Sequence, residues 1–240
     1  NKMIPKVIHY CWFGGKPIPN DVKKCINSWK KKCPDYEIKC WNESNFDVNV
    51  HPFTKAAYKA KSWAFVSDYA RLKVVYEHGG IYLDTDVEVL KNLDFLLKYD
   101  FYIGVQQAGN LCTTGLGFGA TKHNSVVLEM LKKYDTIEFN YDNKEQFSCP
   151  TLNNDVIKQL GYVYNSEKIV KIENNLILPE KYMDPIAPGA ELKNLKCSDT
   201  ISIHHYSASW MGKKTQIKRS LIRFVGQEKI NNLLHLLRKR

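Results

Sequence analysis

A chain of 240 residues, 44% of them hydrophobic, is long enough to bury one large core and too apolar to be disordered. Its seven cysteines are odd in number and lack a Cys-x-x-Cys spacing, which argues against a disulfide framework or a common zinc site and for reduced thiols. The net charge of +10 is concentrated at one end: nine Lys or Arg between Lys213 and Arg240 face one acid, Glu228, so residues 1–212 are near neutral.

In chain order, Val7 to Trp12 is rich in strand formers and runs into the breaker series Gly14-Gly15-Lys16-Pro17-Ile18-Pro19. Asn20 reads as the N-cap of a helix to about Lys32, with Val22, Ile26 and Trp29 at helical spacing. Tyr36–Trp41 reads as a second strand, followed by helices over Thr54–Lys61 and Ser62–His78. In the latter, Phe65, Tyr69, Leu72 and Tyr76 form one buried stripe, and Asp68 and Arg71, three apart, share a neighbouring face. Gly79 and Gly80 stop this helix, and Ile81-Tyr82-Leu83 restarts as a strand ending in Asp84-Thr85-Asp86.

Further strands are expected at Phe101–Val105, Gly115–Ala120 and Thr200–His204, with strand and loop over Ile169–Leu178. Helices are expected at Ser125–Tyr134 and roughly 152–160. Strand and helix alternate, which predicts an α/β fold with a largely parallel sheet and ligands beyond its C-terminal strand ends. Both the loop after Trp12 and the Asp84/Asp86 pair fall at such ends. We expect one catalytic unit over residues 1–212 and a basic helical tail over 213–240.

Residues i and i+2 of an extended chain point to one side, so both aspartates can face one cation. Oxygen ligands favour Mg²⁺ or Mn²⁺, which neutralises diphosphate charge. The bare tripeptide is ordinary turn chemistry. Apolar Ile81–Leu83 before it and Val87, Val89 and Leu90 after it instead place these carboxylates at the edge of a core.

The run Ser67-Asp68, Arg71, Gly79-Gly80, Tyr82 and Asp84-x-Asp86 resembles the core of the family 32 glycosyltransferases, which carry the DXD signature. That family includes bacterial capsule enzymes and the fungal initiating mannosyltransferase, and is distantly similar to glucosyltransferase domains of clostridial toxins. Ile4-Pro5-Lys6-Val7-Ile8-His9-Tyr10-Cys11-Trp12 resembles its opening strand, and His204-His205 with Ser209-Trp210 its closing motif. The resemblance implies a GT-A fold (Rossmann-like, mostly parallel sheet), a nucleotide-sugar donor and a divalent metal on its diphosphate.

Carried onto these residues, Asp86 ligates the metal directly, and Asp84 touches ribose or metal. Asp68 and Arg71 hold the sugar's hydroxyls, suited as a carboxylate acceptor beside a forked guanidinium. His9, Trp12, Tyr82, Ser209 and Trp210 are expected around the donor: Trp12 on the nucleobase, Ser209 and Trp210 on the diphosphate. Adjacent strand residues face opposite sides, so only one of His204 and His205 is expected on the metal, with a slight preference for His205.

Retention of configuration follows from the resemblance, with the leaving diphosphate assisting deprotonation of the acceptor. UDP-hexose is preferred to GDP-mannose by analogy. The acceptor, a saccharide or lipid-linked saccharide of surface-polysaccharide assembly, is expected near Gln106–Thr121 and Ser148–Asn154, with Asn153, Asn154 and Asp155 as candidate contacts. Gly115-Leu116-Gly117-Phe118-Gly119 lacks dinucleotide spacing and is read as a loop approaching the sugar. A nucleotidyltransferase and a non-catalytic carbohydrate-binding protein are the rival readings.

In the tail, Ile217, Leu221, Phe224, Val225, Ile230, Leu233, Leu234 and Leu237 recur at helical intervals between basic residues. This fits either an anionic-membrane anchor or a helix packed on the body, and no nucleic-acid module accompanies the charge. No run of about 18 apolar residues occurs, and Asn1–Pro5 lacks the apolar stretch of a signal peptide. The expected location is cytoplasmic, with peripheral attachment to the inner membrane face if the tail is the anchor and not the packed helix.

Overall fold

The computed structural model describes residues 2–187 and 193–206. The first half alternates as expected: β1 (Val7–Cys11), α1 (Asn20–Lys32), β2 (Glu37–Trp41), α2 (Pro52–Lys59), α3 (Trp63–His78) and β3 (Gly80–Tyr82). A short strand that sequence reading missed, β4 (Val87–Val89), precedes β5 (Phe101–Val105), β6 (Cys112–Ala120), α4 (Ser125–Lys132) and α5 (Cys149–Gln159). The chain continues through β7 (Val170–Ile172), β8 (Asn175–Leu178), α6 (Glu180–Met183) and β9 (Ser202–His204). Pro19, and not Asn20, occupies the N-cap of α1, with no side-chain cap.

Seven strands form one sheet in the order β2-β1-β3-β6-β5-β8-β7, and β4 pairs with β9 in a separate two-stranded ribbon. The β2/β1, β1/β3 and β5/β8 pairs are parallel, whereas β6 and β7 run against their neighbours, so five of the seven strands point one way. Alternate strand residues feed two cores. Tyr82, Phe101 and Ile103 pack with α3, α4 and α5 residues such as Leu72, Val127 and Ile157. Ile8, Tyr10, Ile81 and Tyr102 pack on the other face with Trp29, Val87, Leu93 and Met183. Burial on both faces explains why Phe101–Val105 is uniformly apolar.

α3 is buried over a wider arc than a single stripe. Val66, Ala70, Val74 and Val75 are buried with Tyr69 and Leu72, while Phe65 and Tyr76 remain half-buried. The reason is its central position, packed against α2, α4 and the sheet. Its stop is steric: Gly79 sits at φ +68°, and a Cβ there would lie 2.9 Å from the Lys122 amide nitrogen.

The Gly115–Gly119 stretch lies within β6, as the strand expected at Gly115–Ala120, and is not the sugar-approaching loop also expected of it. Its glycines make room for neighbours: a Cβ on Gly119 would come within 2.5 Å of the Tyr102 ring. All seven cysteines are free. No described helix is long and apolar enough to cross a membrane. The predicted tail, 213–240, lies outside the described residues.

Candidate active site

β3 delivers Leu83 and Asp84 beyond its end, and the Val87 amide then donates to the Asp84 carbonyl (3.1 Å), so Thr85 and Asp86 lie in a turn. The two aspartates therefore converge through a turn and not through the extended backbone expected. β4 continues from this turn and pairs with β9, with Val87 opposite His204, and the His205 amide donates to the Asp86 carbonyl (2.9 Å). That register brings together residues more than a hundred apart. His204 Nε2 lies 3.1 Å from Asp86 Oδ1 and 3.9 Å from Asp84 Oδ2.

His205 faces the other side, with Nε2 2.9 Å from Glu88 Oε1. The slight preference for His205 as the cation ligand is therefore corrected: opposite Val87 in the ribbon, His204 is the imidazole on the aspartates' side. Asp84, Asp86 and His204 each offer one ligand atom, all within 4.8 Å of one another. Two carboxylate oxygens and one imidazole nitrogen fit a divalent cation. Burial alone would lower the His204 pKa, but the Asp86 and Asp84 carboxylates outweigh it and push it up to about 10. Without an ion, His204 is therefore the aspartates' counter-charge.

The floor of the site is Arg71, 3% exposed. Its Nη2 reaches Asp84 Oδ1 (2.9 Å), Asp68 Oδ1 (3.1 Å) and Ser67 Oγ (3.2 Å), and its Nε donates to the Ser67 carbonyl. The guanidinium carbon lies 4.7 Å from the centre of the Tyr82 ring, whose hydroxyl donates to the same Asp84 Oδ1 (2.9 Å). Asp84 thus has one oxygen fixed by two donors and the other turned toward His204. Only Nη1 of Arg71 has a weak partner, the Cys149 sulfur at 3.9 Å. Asp68 is pushed up to about 6 by burial, which Arg71 partly offsets and Asp84 reinforces. A Cβ on Gly115 would sit 3.6 Å from Asp84 Oδ2 and 3.8 Å from Arg71 Nη1, so β6 passes directly beside this cluster.

Other predicted residues fall elsewhere. Both ring nitrogens of His9 are committed internally: Trp41 Nε1 donates to Nδ1 (3.1 Å), so Nε2 carries the proton and donates to the Gly79 carbonyl (2.8 Å). Burial pushes its pKa down to about 4, so His9 is a neutral strut under the helix stop and has no nitrogen left for a donor. Trp12 is half-buried, with its indole N–H on the Lys16 carbonyl (2.7 Å). Asn153 and Asn154 are buried and tie α5 to β6, accepting from the Thr114 and Cys112 amides (2.8 and 3.0 Å), while Asp155 pairs with Lys133 on the surface. Asn153 and Asn154 are thus structural and not acceptor contacts. Ser209 and Trp210 lie outside the described residues.

Sequence reading missed Cys149, Asp184 and Tyr206. Cys149 opens α5 beside Arg71, with its sulfur 3.0 Å from both Thr114 Oγ1 and Asn153 Oδ1. Asp184 is fully buried, and its Oδ2 accepts from the Gln107 amide and the Tyr206 hydroxyl, both at 2.8 Å. The Tyr206 ring meets His204 edge-on, with centroids 4.1 Å apart. Nothing local in the sequence placed these three at this site.

Residues 19–102 match the family model described as the glycosyltransferase sugar-binding region containing the DXD motif. That segment contains Asp68, Arg71, Asp84 and Asp86 of the cluster just described, but not His204. Over this segment the chain is similar to the DXD-containing glycosyltransferases. Among relatives of this family, inositol phosphoceramide mannosyltransferase 3 of Schizosaccharomyces pombe is 27% identical over 58% of the chain and 39% of its own length. An uncharacterized glycosyltransferase, L373, of Acanthamoeba polyphaga mimivirus is 27% identical over 87% of the chain and 84% of its own length. The chain thus spans well under half of the yeast enzyme and most of the viral protein. The solved PaToxG glycosyltransferase superposes with a TM-score of 0.53 at 21% identity, over 66% of this chain and 70% of that one. The fold is of the expected GT-A type: a mostly parallel sheet flanked by helices, with the DXD pair at the end of a central strand.

Proposed function

We propose that this chain is a divalent-metal-dependent hexosyltransferase, moving a hexose from a nucleotide-sugar to a hydroxyl of a saccharide or lipid-linked saccharide with retention of configuration. The observation that carries the reading is the adjoining of two clusters through one residue: Asp84 turns Oδ2 toward Asp86 and His204, and gives Oδ1 to Arg71 and Tyr82.

Asp84, Asp86 and His204 would hold the cation, which when bound supplies positive charge to the donor's diphosphate. The remaining roles belong to the protein. Arg71 and Tyr82 fix the rotamer of Asp84, so the site is organised before a donor arrives. Asp68, partly exposed beside Arg71, offers its second oxygen to a sugar hydroxyl, and Arg71 Nη1 offers an N–H. The half-buried ring of Trp12, just past the end of β1, supports a role for it against the nucleobase.

The yeast relatives are named mannosyltransferases, which supports including GDP-mannose beside UDP-hexoses as candidate donors. Surface-polysaccharide assembly at the cytoplasmic membrane face is the setting we propose, with the basic 213–240 segment as its support.

The test is nucleotide release from a panel of UDP-hexoses and GDP-mannose with Mn²⁺, for the wild type and Asp86→Ala. Release that falls about 10²-fold or more in the variant is expected. Absence of release from every donor, together with no thermal shift from UDP or GDP, refutes the proposal. Proton NMR of the product anomer tests retention.

A further inference from the structure

A groove of about 870 Å³ runs between the Ala56–Ala60 edge of α2 and the segment 136–147 that precedes α5. This is within the roughly 300–1,000 Å³ typical of small-molecule sites. Its walls combine two chemistries. Phe139 is half-buried in the wall with the core residue Phe147 packed behind it, centroids 5.7 Å apart, and Tyr141 stands at the rim, 56% exposed, with Lys144 Nζ 4.0 Å from its ring centre. Asn143 and Gln146, both exposed, also line it, and neither side-chain amide hydrogen-bonds another described residue. A pyranose has apolar C–H faces and a rim of hydroxyls that both donate and accept. Aromatic faces beside unpaired amides complement both. Few charges line the groove, which suits a neutral polyhydroxyl ligand better than a phosphate.

The groove also adjoins the sugar end of the candidate active site by two routes. Phe65 packs edge-on against both Phe139 and Phe147, with centroids 5.7 and 5.6 Å apart, and lies less than one helical turn before Asp68 on α3. Phe147 lies two residues before Cys149, whose sulfur reaches Arg71 Nη1 at 3.9 Å. A second groove of about 470 Å³ shares Ala56 and the 136–139 wall and lengthens the cleft.

We infer that this groove is the acceptor subsite and binds a neutral saccharide. The inference rests on the transferase reading for the acceptor's role, but its ligand class rests on the groove itself. It replaces the placement at β6 and the start of α5, where Asn153 and Asn154 are spent on internal hydrogen bonds.

Saturation-transfer NMR with a panel of methyl hexosides and neutral hexose disaccharides tests it directly. At least one glycoside should take up saturation from the wild type, and Tyr141→Ala and Gln146→Ala should each weaken that binding about 3- to 10-fold. Tyr141 is exposed, so its truncation leaves the core intact, which circular dichroism verifies. Absence of saturation for every glycoside, or binding unchanged in both variants, overturns the inference. Nucleotide-sugar hydrolysis by the wild type separates the two proposals. Hydrolysis without glycoside binding removes the groove and keeps the donor site. Glycoside binding lost in the variants of a protein that hydrolyses no donor keeps the groove and removes the donor reading.

Discussion

A cation at the Asp84–Asp86–His204 cluster must compete with a proton, and the competition has a definite sign. In the ion-free protein His204 is desolvated, which disfavours its charge, but the Asp86 and Asp84 carboxylates prevail and push its pKa up to about 10. At pH 7 the imidazolium therefore persists as a 3.1 Å ion pair with Asp86 Oδ1. A metal needs the neutral ring, so binding expels this proton. With a pKa some three units above neutrality, roughly one molecule in 10³ has a free Nε2 at pH 7, and apparent affinity should rise about tenfold per pH unit between pH 6 and 8.

Calorimetric titration of Mn²⁺ at pH 6, 7 and 8, in buffers of differing ionisation heat, should report close to one proton released per ion. His204→Ala should abolish both the proton release and the slope, so its deficit against the wild type should grow as pH rises. His205→Ala, which removes the ring that meets Glu88 and not Asp86, should keep both. Affinity that is flat with pH, or release carried by the His205 variant's missing ring, refutes the assignment. The same linkage makes the ion-free fold pH-sensitive: because the folded pKa is raised, the imidazolium's stabilisation is fully present below about pH 6.5 and is lost as pH rises through about 10.

Arg71→Ala should cost about 3–5 kcal/mol in urea denaturation at pH 7, because it strands the carboxylates of Asp68 and Asp84 without their common partner. Asp68 carries a raised pKa of about 6, so its protonated form is favoured by folding, and stability should fall as pH rises from about 4 to 6; Asp68→Asn should flatten that segment of the profile. Trp29→Phe leaves the Val87 carbonyl without its 2.7 Å indole donor, should cost about 1–3 kcal/mol, and should weaken Mn²⁺ binding by loosening β4. Full-length protein should float with anionic liposomes and be released by high salt; protein that stays at the bottom refutes the membrane role of residues 213–240.

What was legible in the chain was local. The helix carrying Asp68 and Arg71, its Gly79 stop and the short strand into Asp84 are neighbours in sequence, so periodicity and one glycine suffice to place them. The alternation that follows predicted a largely parallel sheet, and five of seven strands run one way. The choice between His204 and His205 was different in kind. Adjacency on a strand shows that the two rings diverge, but which ring meets Asp86 depends on the Val87↔His204 register, and β4 is three residues long, its preceding turn lying within the Asp84–Asp86 run that reads from sequence as extended. Asn153 and Asn154 misled for a related reason: an amide is equally suited to a sugar and to an unpaired strand, and only the pairing of α5 with β6 shows which it has found.

The same logic explains why Arg71 ends up beneath the site more than in it. A guanidinium beside an aspartate three residues away reads from sequence as a pair poised for a ligand. In the fold a second carboxylate, Asp84, arrives from the next strand at 2.9 Å, and the Tyr82 ring closes over the guanidinium. A cation buried between two carboxylates has little freedom to follow a substrate. Beyond the N–H that Nη1 offers the sugar, its effect on catalysis is then exerted through Asp84, by holding one oxygen so that the other is aimed. Lys at this position would keep the charge and lose the fork, so Arg71→Lys should retain more stability than Arg71→Ala yet still bind Mn²⁺ poorly; equal Mn²⁺ affinity in Arg71→Lys and wild type would show that the fork is not what aims Asp84.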